Sequence, residues 1–418
     1  MKQIAFDVCV VGGGAAGMMA AVKAARDGAK VVLVEKMNRP GRKLSITGKG
    51  RCNLTNVAPL GEFLSHTGPD PRFLRNAFSV FFVDELLSFF ADLGVKTVTE
   101  RGGRVFPESE QAKEIVDAFT KELKRLNVEV RCESAVSRIL MKDAIAIGVE
   151  LKNQHQILAS KTILATGGAS YAGTGSTGDG YKIAALAGHT IRQVVPALVP
   201  INTEGDIAAK LQGLALKNVK ASVYLNNKKA GEAFGELLFA HFGLTGPIIL
   251  SLSRQFGREI LQGAKAEISI DLKPALDEPT LDKRLLRELD EHGKMQFKGI
   301  LKTLLPSSLI GVCCEILALD PEKIGNQVSG AERKKLRVWL KDFRFKISGL
   351  RGFDEAIITS GGISTKEINP QTMESKIVKN LYFAGEVVDL EADTGGYNLQ
   401  IAFSTAWVAA KACASSRS

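Results

Sequence analysis

The feature that most constrains this chain is the passage from an unbroken apolar run, Val8, Cys9, Val10 and Val11, into Gly12, Gly13, Gly14, Ala15, Ala16 and Gly17. An apolar run ending in glycines reads as a buried strand and a turn, and Met18 to Arg26 reads as a helix stopped at Gly28. Val31 to Val34 is then a second strand, ended by Glu35. In a unit that holds a dinucleotide each of these has a physical task. Gly12 makes the tight turn, Gly14 lets backbone approach a pyrophosphate, Gly17 lets helix and strand pack closely, and Glu35 accepts from ribose hydroxyls. A glycine triplet alone is weak evidence. Strand, helix, second strand and terminal acid around it make the reading specific.

At 418 residues the chain can bury a substantial core, and the usual allowance of about 100–200 residues per domain gives two or three domains. Its 45% hydrophobic and 24% charged residues are those of an ordinary globular protein. No apolar run approaches the roughly 18–20 residues of a membrane span, so no membrane partner is expected. After the early Lys2 the chain goes straight to its first strand, without the cleavage pattern of a secretory signal, and a cytoplasmic location is expected. The cysteines Cys9, Cys52, Cys132, Cys313, Cys314 and Cys413 have neither metal-ligand spacing nor a disulfide framework. No metal is expected, and five of the six read as small core residues, with Cys52 the exception.

The formal net charge of +10 is concentrated in two acid-free stretches. Residues 36–56 carry Lys36, Arg39, Arg42, Lys43, Lys49 and Arg51; residues 207–231 carry Lys210, Lys217, Lys220, Lys228 and Lys229. They read either as a pyrophosphate clamp and a solvated face, or as the footprint of a polyanion such as RNA.

Phe73 to Leu93 has helical spacing of aromatics and leucines, expected for core packing; Gly102 to Pro107 reads as a hairpin or turn, and Ala112 to Arg125 as an amphipathic helix. Strands are expected at Val128 to Val130, Ala135 to Ile139 and Lys161 to Thr166, the last followed by Gly167, Gly168 and a glycine-rich run into a helix ending at Gly188. From about Pro196 to residue 275 short alternating runs predict a small antiparallel β unit, and residues 278–345 have helical period. Nucleotide-type signals then return: Glu355 to Thr359 and Leu381 to Ala384 as strands, and Thr394, Gly395, Gly396, Tyr397, Asn398 opening a helix to about Ala412. The expected division is 1–192 as the first part of a nucleotide domain, 193–276 as an inserted antiparallel β domain, 277–345 as a helical domain and 346–418 as the second part.

Several of these stretches together carry a family resemblance. The N-terminal glycine motif with Glu35, Gly41-Arg42-Lys43 through Arg51-Cys52-Asn53-Leu54-Thr55-Asn56, Ala165-Thr166-Gly167-Gly168, Phe239 to Pro247, and Ala384-Gly385-Glu386 with Gly395 to Gln400 resemble the BaiN/YhiN-type FAD flavoproteins over the whole chain. The resemblance implies an α/β class: a two-dinucleotide-binding-domain, Rossmann-like FAD fold interrupted by a β unit and a helical unit. It implies that Gly12, Gly14 and Gly17 meet the FAD pyrophosphate, Glu35 the adenosine ribose and Val136 the adenine region, with Ala15, Ala16 and Lys36 also among the cofactor-binding residues. The loop with Gly41, Arg42, Lys43, Leu44, Arg51, Cys52 and Asn53 is implied to lie against the cofactor, as are Thr166, Gly167 and Gly168. Gly385 and Glu386 are implied at the ribityl chain or pyrophosphate, and Gly396, Tyr397, Asn398 and Leu399 at the flavin ring. Ala172, Ala240, Ala406 and Ala410 depart from the residues common in the family, and the resemblance implies substrate contact near the first two.

The activities implied are reduction of a conjugated C=C bond, in bile-acid-like steroids or in a uridine of large-subunit ribosomal RNA, and amine oxidation. No second glycine fingerprint serves a nicotinamide, so NAD(P)H is expected as a transient donor. Reduction needs a hydride at one carbon and a proton at the other. Cys52, set among cations that favour a thiolate, and His241 are the catalytic candidates. The leading expectation is an rRNA uridine reductase. A small-molecule ene-reductase or amine oxidase is the alternative, and a non-catalytic flavin-containing RNA-binding factor a third. The sequence leaves the oligomeric state open.

Overall fold

The computed structural model describes residues 5–414; Lys2 lies outside them. Phe6–Val11 (β1) is buried along almost its whole length because it lies inside a parallel sheet, between Val31–Val34 (β2) on one side and Gln156–Leu164 on the other. Glu129–Arg131 extends the sheet beyond β2, and Leu381–Phe383 pairs in parallel with Gln156–Leu164. The other end of Gln156–Leu164 pairs antiparallel with Ile145–Leu151, which pairs with Val136–Lys142. This is a Rossmann-type sheet, with Val8↔Val31 and Val8↔Lys161 setting its register.

Ala15–Arg26 (α1) follows β1 and packs against the last helix, Tyr397–Ala414. Both helices are rich in small buried residues, Ala20, Ala21 and Ala24 in one and Ala406, Ala409 and Ala410 in the other. The alanines at 406 and 410, departures from the family's usual glycines, thus still permit helix-to-helix packing.

The expected single helix over 73–93 is two, Leu74–Val80 and Val83–Asp92. Phe81 between them is extended, which sends its ring onto Trp407 at 4.2 Å, and the Glu85 carboxylate accepts from the Phe82 amide at 2.9 Å to start the second helix afresh. The aromatics are core, as their spacing indicated: Phe90 meets Phe403 edge-on at 5.7 Å. The strand expected at 355–359 begins later and runs through the glycines, Ile358–Ile363. Cys132 is half-buried rather than core.

His189 is sealed in this unit, its Nε2 2.9 Å from Ser375 Oγ, its Nδ1 3.3 Å from Glu367 Oε2 and its ring edge-on to Phe383 at 4.7 Å. Burial lowers its pKa more than the Glu367 carboxylate raises it. The unfolded chain therefore takes up this proton first, and folding stability is lost as pH falls below about 6.5. Denaturant midpoints measured from pH 7 to 5 are expected to fall, and His189→Gln to flatten that fall.

Ala197–Glu355 forms a second compact unit. Ile201–Thr203, Gly243–Thr245, Lys228–Ala240, Ala215–Leu225, Ala266–Asp271 and Phe343–Leu350 close into a six-stranded antiparallel barrel. Asn226 and Asn227 join its longest hairpin with positive φ at both positions, as a two-residue turn of this hand requires. The helical segment expected to stand alone shares this barrel's core: Leu281, Leu285, Leu289 and Trp339 belong to one buried cluster with Phe239, Ile268 and Phe343. A border at 345/346 would cut the closing strand. The helix Pro247–Leu261, inside the stretch read as β, buries Ile248, Ile249 and Leu252 against the barrel.

Candidate active site

Backbone crowding explains two of the three glycines in the first turn. Gly12 has φ +102°, and a Cβ there would lie 2.5 Å from the Ala165 carbonyl oxygen; a Cβ on Gly17 would lie 1.7 Å from that of Gly12. Gly14 is different, because a Cβ on it would meet nothing within 4 Å. Its lack of a side chain leaves the start of α1 approachable, which is what a phosphate at a helix N-terminus needs. Gly13, which the motif did not single out, donates its amide to Glu35 Oε2 at 2.6 Å, while Glu35 Oε1 accepts from Met37 N at 2.7 Å. Glu35 is thereby aimed beside the turn. The amides of Glu133 and Ser134 bond the carbonyls of Met37 and Glu35, which carries Val136, buried at the head of its strand, to this side of the sheet.

Three segments far apart in sequence converge on Lys43. Its Nζ lies 2.8 Å from both Glu386 Oε2 and Ser170 Oγ. Glu386 Oε1 accepts from Thr359 N at 2.9 Å, and Thr359 Oγ1 accepts from the amides of Ala169 and Ser170. Gly168 is required here, since a Cβ would sit 2.4 Å from Thr359 Oγ1, and Gly385 rests on Ala16 with 2.8 Å left for its missing Cβ. The network brings Thr166, Gly167 and Gly168 together with Gly385, Glu386 and the head of α1. Ser170 and Thr359 carried no sequence signal beyond their nearness to glycine pairs.

The remaining cations of the 36–56 loop are largely engaged. Lys36 Nζ binds Asp179 Oδ2 at 2.8 Å and Thr177 Oγ1 at 2.5 Å. Burial pushes the Asp179 carboxyl up, but Lys36 outweighs it and holds that carboxyl below the usual range. Arg42 reaches Asn38 Oδ1 and the Gly173 carbonyl at 3.3 and 3.2 Å. Arg51 turns away to Glu100 and Glu110, its guanidinium 4.1 Å from the Phe106 ring centre, so it belongs to a surface cluster and not to a phosphate clamp. Gly41 at φ +75° lets the loop pass Val116, and Leu44 is buried core.

At the other end, Gly396, φ +103°, lies against Thr55, whose carbonyl oxygen would be 2.2 Å from a Cβ at 396. Asn56 Nδ2 donates to the carbonyls of Gly395 and Gly102 at 3.1 and 2.9 Å. The Tyr397 and Asn398 side chains are not turned toward a ligand: Tyr397 is buried against Phe63 and His66, and Asn398 bonds both the amide and the carbonyl of Ala392. What the Gly396 to Leu399 segment offers a cofactor is backbone amide at a helix start.

The two catalytic candidates have opposite surroundings. Cys52 is fully buried at φ +61°, and burial pushes its thiol up to about 12, with only a hydrogen bond to Thr47 opposing. The thiolate favoured by neighbouring cations is not formed. His241 is exposed in the turn between two barrel strands, against Phe242, in the second unit.

The residues present fit FAD. Besides the open face at Gly14, Asn53 Oδ1 and Thr166 Oγ1 are enclosed without a hydrogen-bond partner among the described residues, both in segments lining this cleft. The model for the HI0933-like protein Rossmann domain matches residues 6–412. The chain belongs to the HI0933-like family. The 3-dehydro-bile acid delta(4,6)-reductase of Clostridium scindens is 33% identical over 97% of this chain and 98% of that protein. The ribosomal RNA dihydrouridine synthase of Escherichia coli is 33% identical over 97% of each. A solved 3-ketosteroid delta1-dehydrogenase from Sterolibacterium denitrificans shares the fold alone, at 12% identity and a TM-score of 0.51 over 99% of this chain and all of that one. The chain is therefore an FAD-dependent oxidoreductase, an enzyme rather than a non-catalytic RNA-binding factor. Among the described residues no helix is long and apolar enough to cross a membrane.

Proposed function

We propose that this enzyme reduces an activated C=C bond, and that its substrate is a uridine of large-subunit ribosomal RNA, converted to dihydrouridine with electrons from NAD(P)H. The observation that carries the reading is the pair of near-full-length relatives named for such reductions, one on a bile acid and one forming dihydrouridine in ribosomal RNA. Bound FAD supplies a hydride donor at its ring. The chain's own parts do the rest: the head of α1 receives the pyrophosphate, Glu35 orients the ribose, the Lys43–Glu386 pair fixes the cleft, and the amides opening the last helix stabilise negative charge at the ring.

Excess charge favours RNA over the bile acid. Lys210, Lys220 and Lys229 pair with acids, yet Arg39, Lys49, Lys217 and Lys228 are exposed and make no ion pair among the described residues. Affinity for ribosomal RNA is expected to fall steeply between 50 and 200 mM salt, with the slope reduced by about one for each of these cations replaced by Gln that contacts phosphate. Binding indifferent to salt would fit the second reading, a small-molecule ene-reductase, which the bile acid reductase match supports equally in identity.

The decisive test is anaerobic. Flavin reduced by NAD(P)H is mixed with unmodified ribosomal RNA or, in parallel, with steroid enones. Recovery of the oxidised visible band with RNA, and dihydrouridine in the digest, is expected. Recovery with enones alone would transfer the function to metabolism.

A further inference from the structure

The structure assigns the proton-donor role to His66, which no sequence motif marked. The assignment rests on the C=C reductase reading, because that reaction needs an acid beside the flavin ring and Cys52 is sealed.

His66 follows a short helix, Leu60–Ser65, and precedes Thr67–Gly68, which pairs antiparallel with Glu391–Ala392. That pairing ties it to the approach of the last helix: the Asp393 amide donates to the His66 carbonyl at 2.9 Å. The side chains meet as well. His66 Nδ1 lies 3.1 Å from Asp393 Oδ2, and the imidazole stacks on Tyr397 with ring centres 4.5 Å apart and planes inclined by 21°. The histidine is thus held from two sides, by a carboxylate and by the ring of the helix's first residue.

Such a setting fixes a tautomer. Nδ1–H donates to Asp393, so Nε2 is the nitrogen that takes up and releases the proton. Nε2 has no hydrogen-bond partner among the described residues and is not enclosed, and the side chain is 36% exposed. Several side chains at the start of this helix do not supply the proton. Thr55, Asn56 and Gln400 do not ionise in this range, Tyr397 is buried and pushed up by that burial and by Glu62 and Asp393, and Cys52 is sealed. His66 combines an accessible nitrogen, an orienting carboxylate and a ring stacked on Tyr397, the first residue of the last helix.

In the step assigned here one alkene carbon receives a hydride, with its two electrons, from the reduced flavin. The other carbon receives the Nε2 proton of the imidazolium. The imidazole is left neutral with Nδ1–H on Asp393 and regains a proton from solvent, while NAD(P)H reduces the oxidised flavin again.

The holoenzyme, H66Q and H66A are compared. H66Q is expected to keep the bound-flavin spectrum and flavin reduction by NAD(P)H, while reoxidation by substrate (ribosomal RNA or a 3-keto-4-ene steroid) falls about 100-fold or more. Added imidazole is expected to restore part of the rate to H66A, which a merely structural side chain would not allow. Independently of turnover, diethyl pyrocarbonate is expected to label His66 in the folded wild-type chain, as read by peptide mass, with the bound steroid or RNA slowing it. H66Q within threefold of wild type, or labelling of His66 unaffected by either compound, overturns the assignment and leaves the reductase reading intact. Wild-type reduced flavin that no alkene reoxidises overturns both.

Discussion

Gly17→Ala is expected to yield a chain that no longer retains flavin and that unfolds at markedly lower denaturant. A single added carbon would lie 1.7 Å from the Gly12 carbonyl oxygen, and that oxygen belongs to backbone that is itself pinned, since Gly12 sits against Ala165. Neither partner can rotate away as a side chain could. Relief requires α1 to lift from the end of β1, loosening its packing on the last helix and displacing the amides at its start. Overpacking of flexible core positions costs about 1–3 kcal/mol, and a backbone collision belongs at or above the top of that range. Absorbance of the purified chain near 450 nm, set against its denaturation midpoint, is the check. Gly14→Ala is the comparison: it meets nothing within 4 Å, so it is expected to leave stability within about 0.5 kcal/mol while weakening flavin retention.

Gln400→Ala is expected to destabilise the chain by about 2–4 kcal/mol and to loosen the 51–56 loop. Gln400 is the middle of a buried, fully directional chain of hydrogen bonds. Thr55 Oγ1 donates to Gln400 Oε1 at 2.6 Å, Gln400 Nε2 to Ser404 Oγ at 3.0 Å, and Ser404 Oγ to the Phe81 carbonyl at 2.7 Å. Thr55, Gln400 and Ser404 are all 0% exposed, so truncation leaves the Thr55 hydroxyl without an acceptor and without water to replace it. Because Thr55 carries the carbonyl against which Gly396 packs, the loss is felt at the start of the last helix. Equilibrium unfolding gives the stability change. Faster amide exchange at residues 52–56 gives the loosening, and a loss confined to global stability with unchanged exchange there would show that the loop is held by other contacts.

Much of the nucleotide half was legible because its signals are local. A four-residue apolar run before glycine, a small-residue helix and a second strand ended by an acid read correctly as β1, α1 and β2, since a parallel strand buried on both faces needs no partner's identity to be recognised. The amphipathic helix over Ala112–Arg125 likewise matched its spacing. The inserted unit was less legible, and the reason is closure. Whether Phe343–Leu350 is the end of a helical stretch or the sixth stave of a barrel depends on strands more than 70 residues earlier, Ala266–Asp271 and Ile201–Thr203, with which it pairs. Pro247–Leu261 was hidden because its apolar residues also suit an alternating reading until a barrel wall is there to bury them.

The sequence by itself determined the strand, glycine turn, helix and second strand that open the nucleotide unit, because glycine spacing, strand composition and Glu35 act through backbone geometry within 35 residues. Tertiary structure decided which side chains are free to act. Among cations of one loop, folding sends Lys43 to Glu386 and Arg51 to Glu100 and Glu110; among the candidate acids it seals Cys52 and sets His66 on Tyr397 beside Asp393. Charge and proton exchange depend on what stands within a few ångströms and on access to water, and contacts such as Lys43 with Glu386 and His66 with Asp393 join positions more than 300 residues apart.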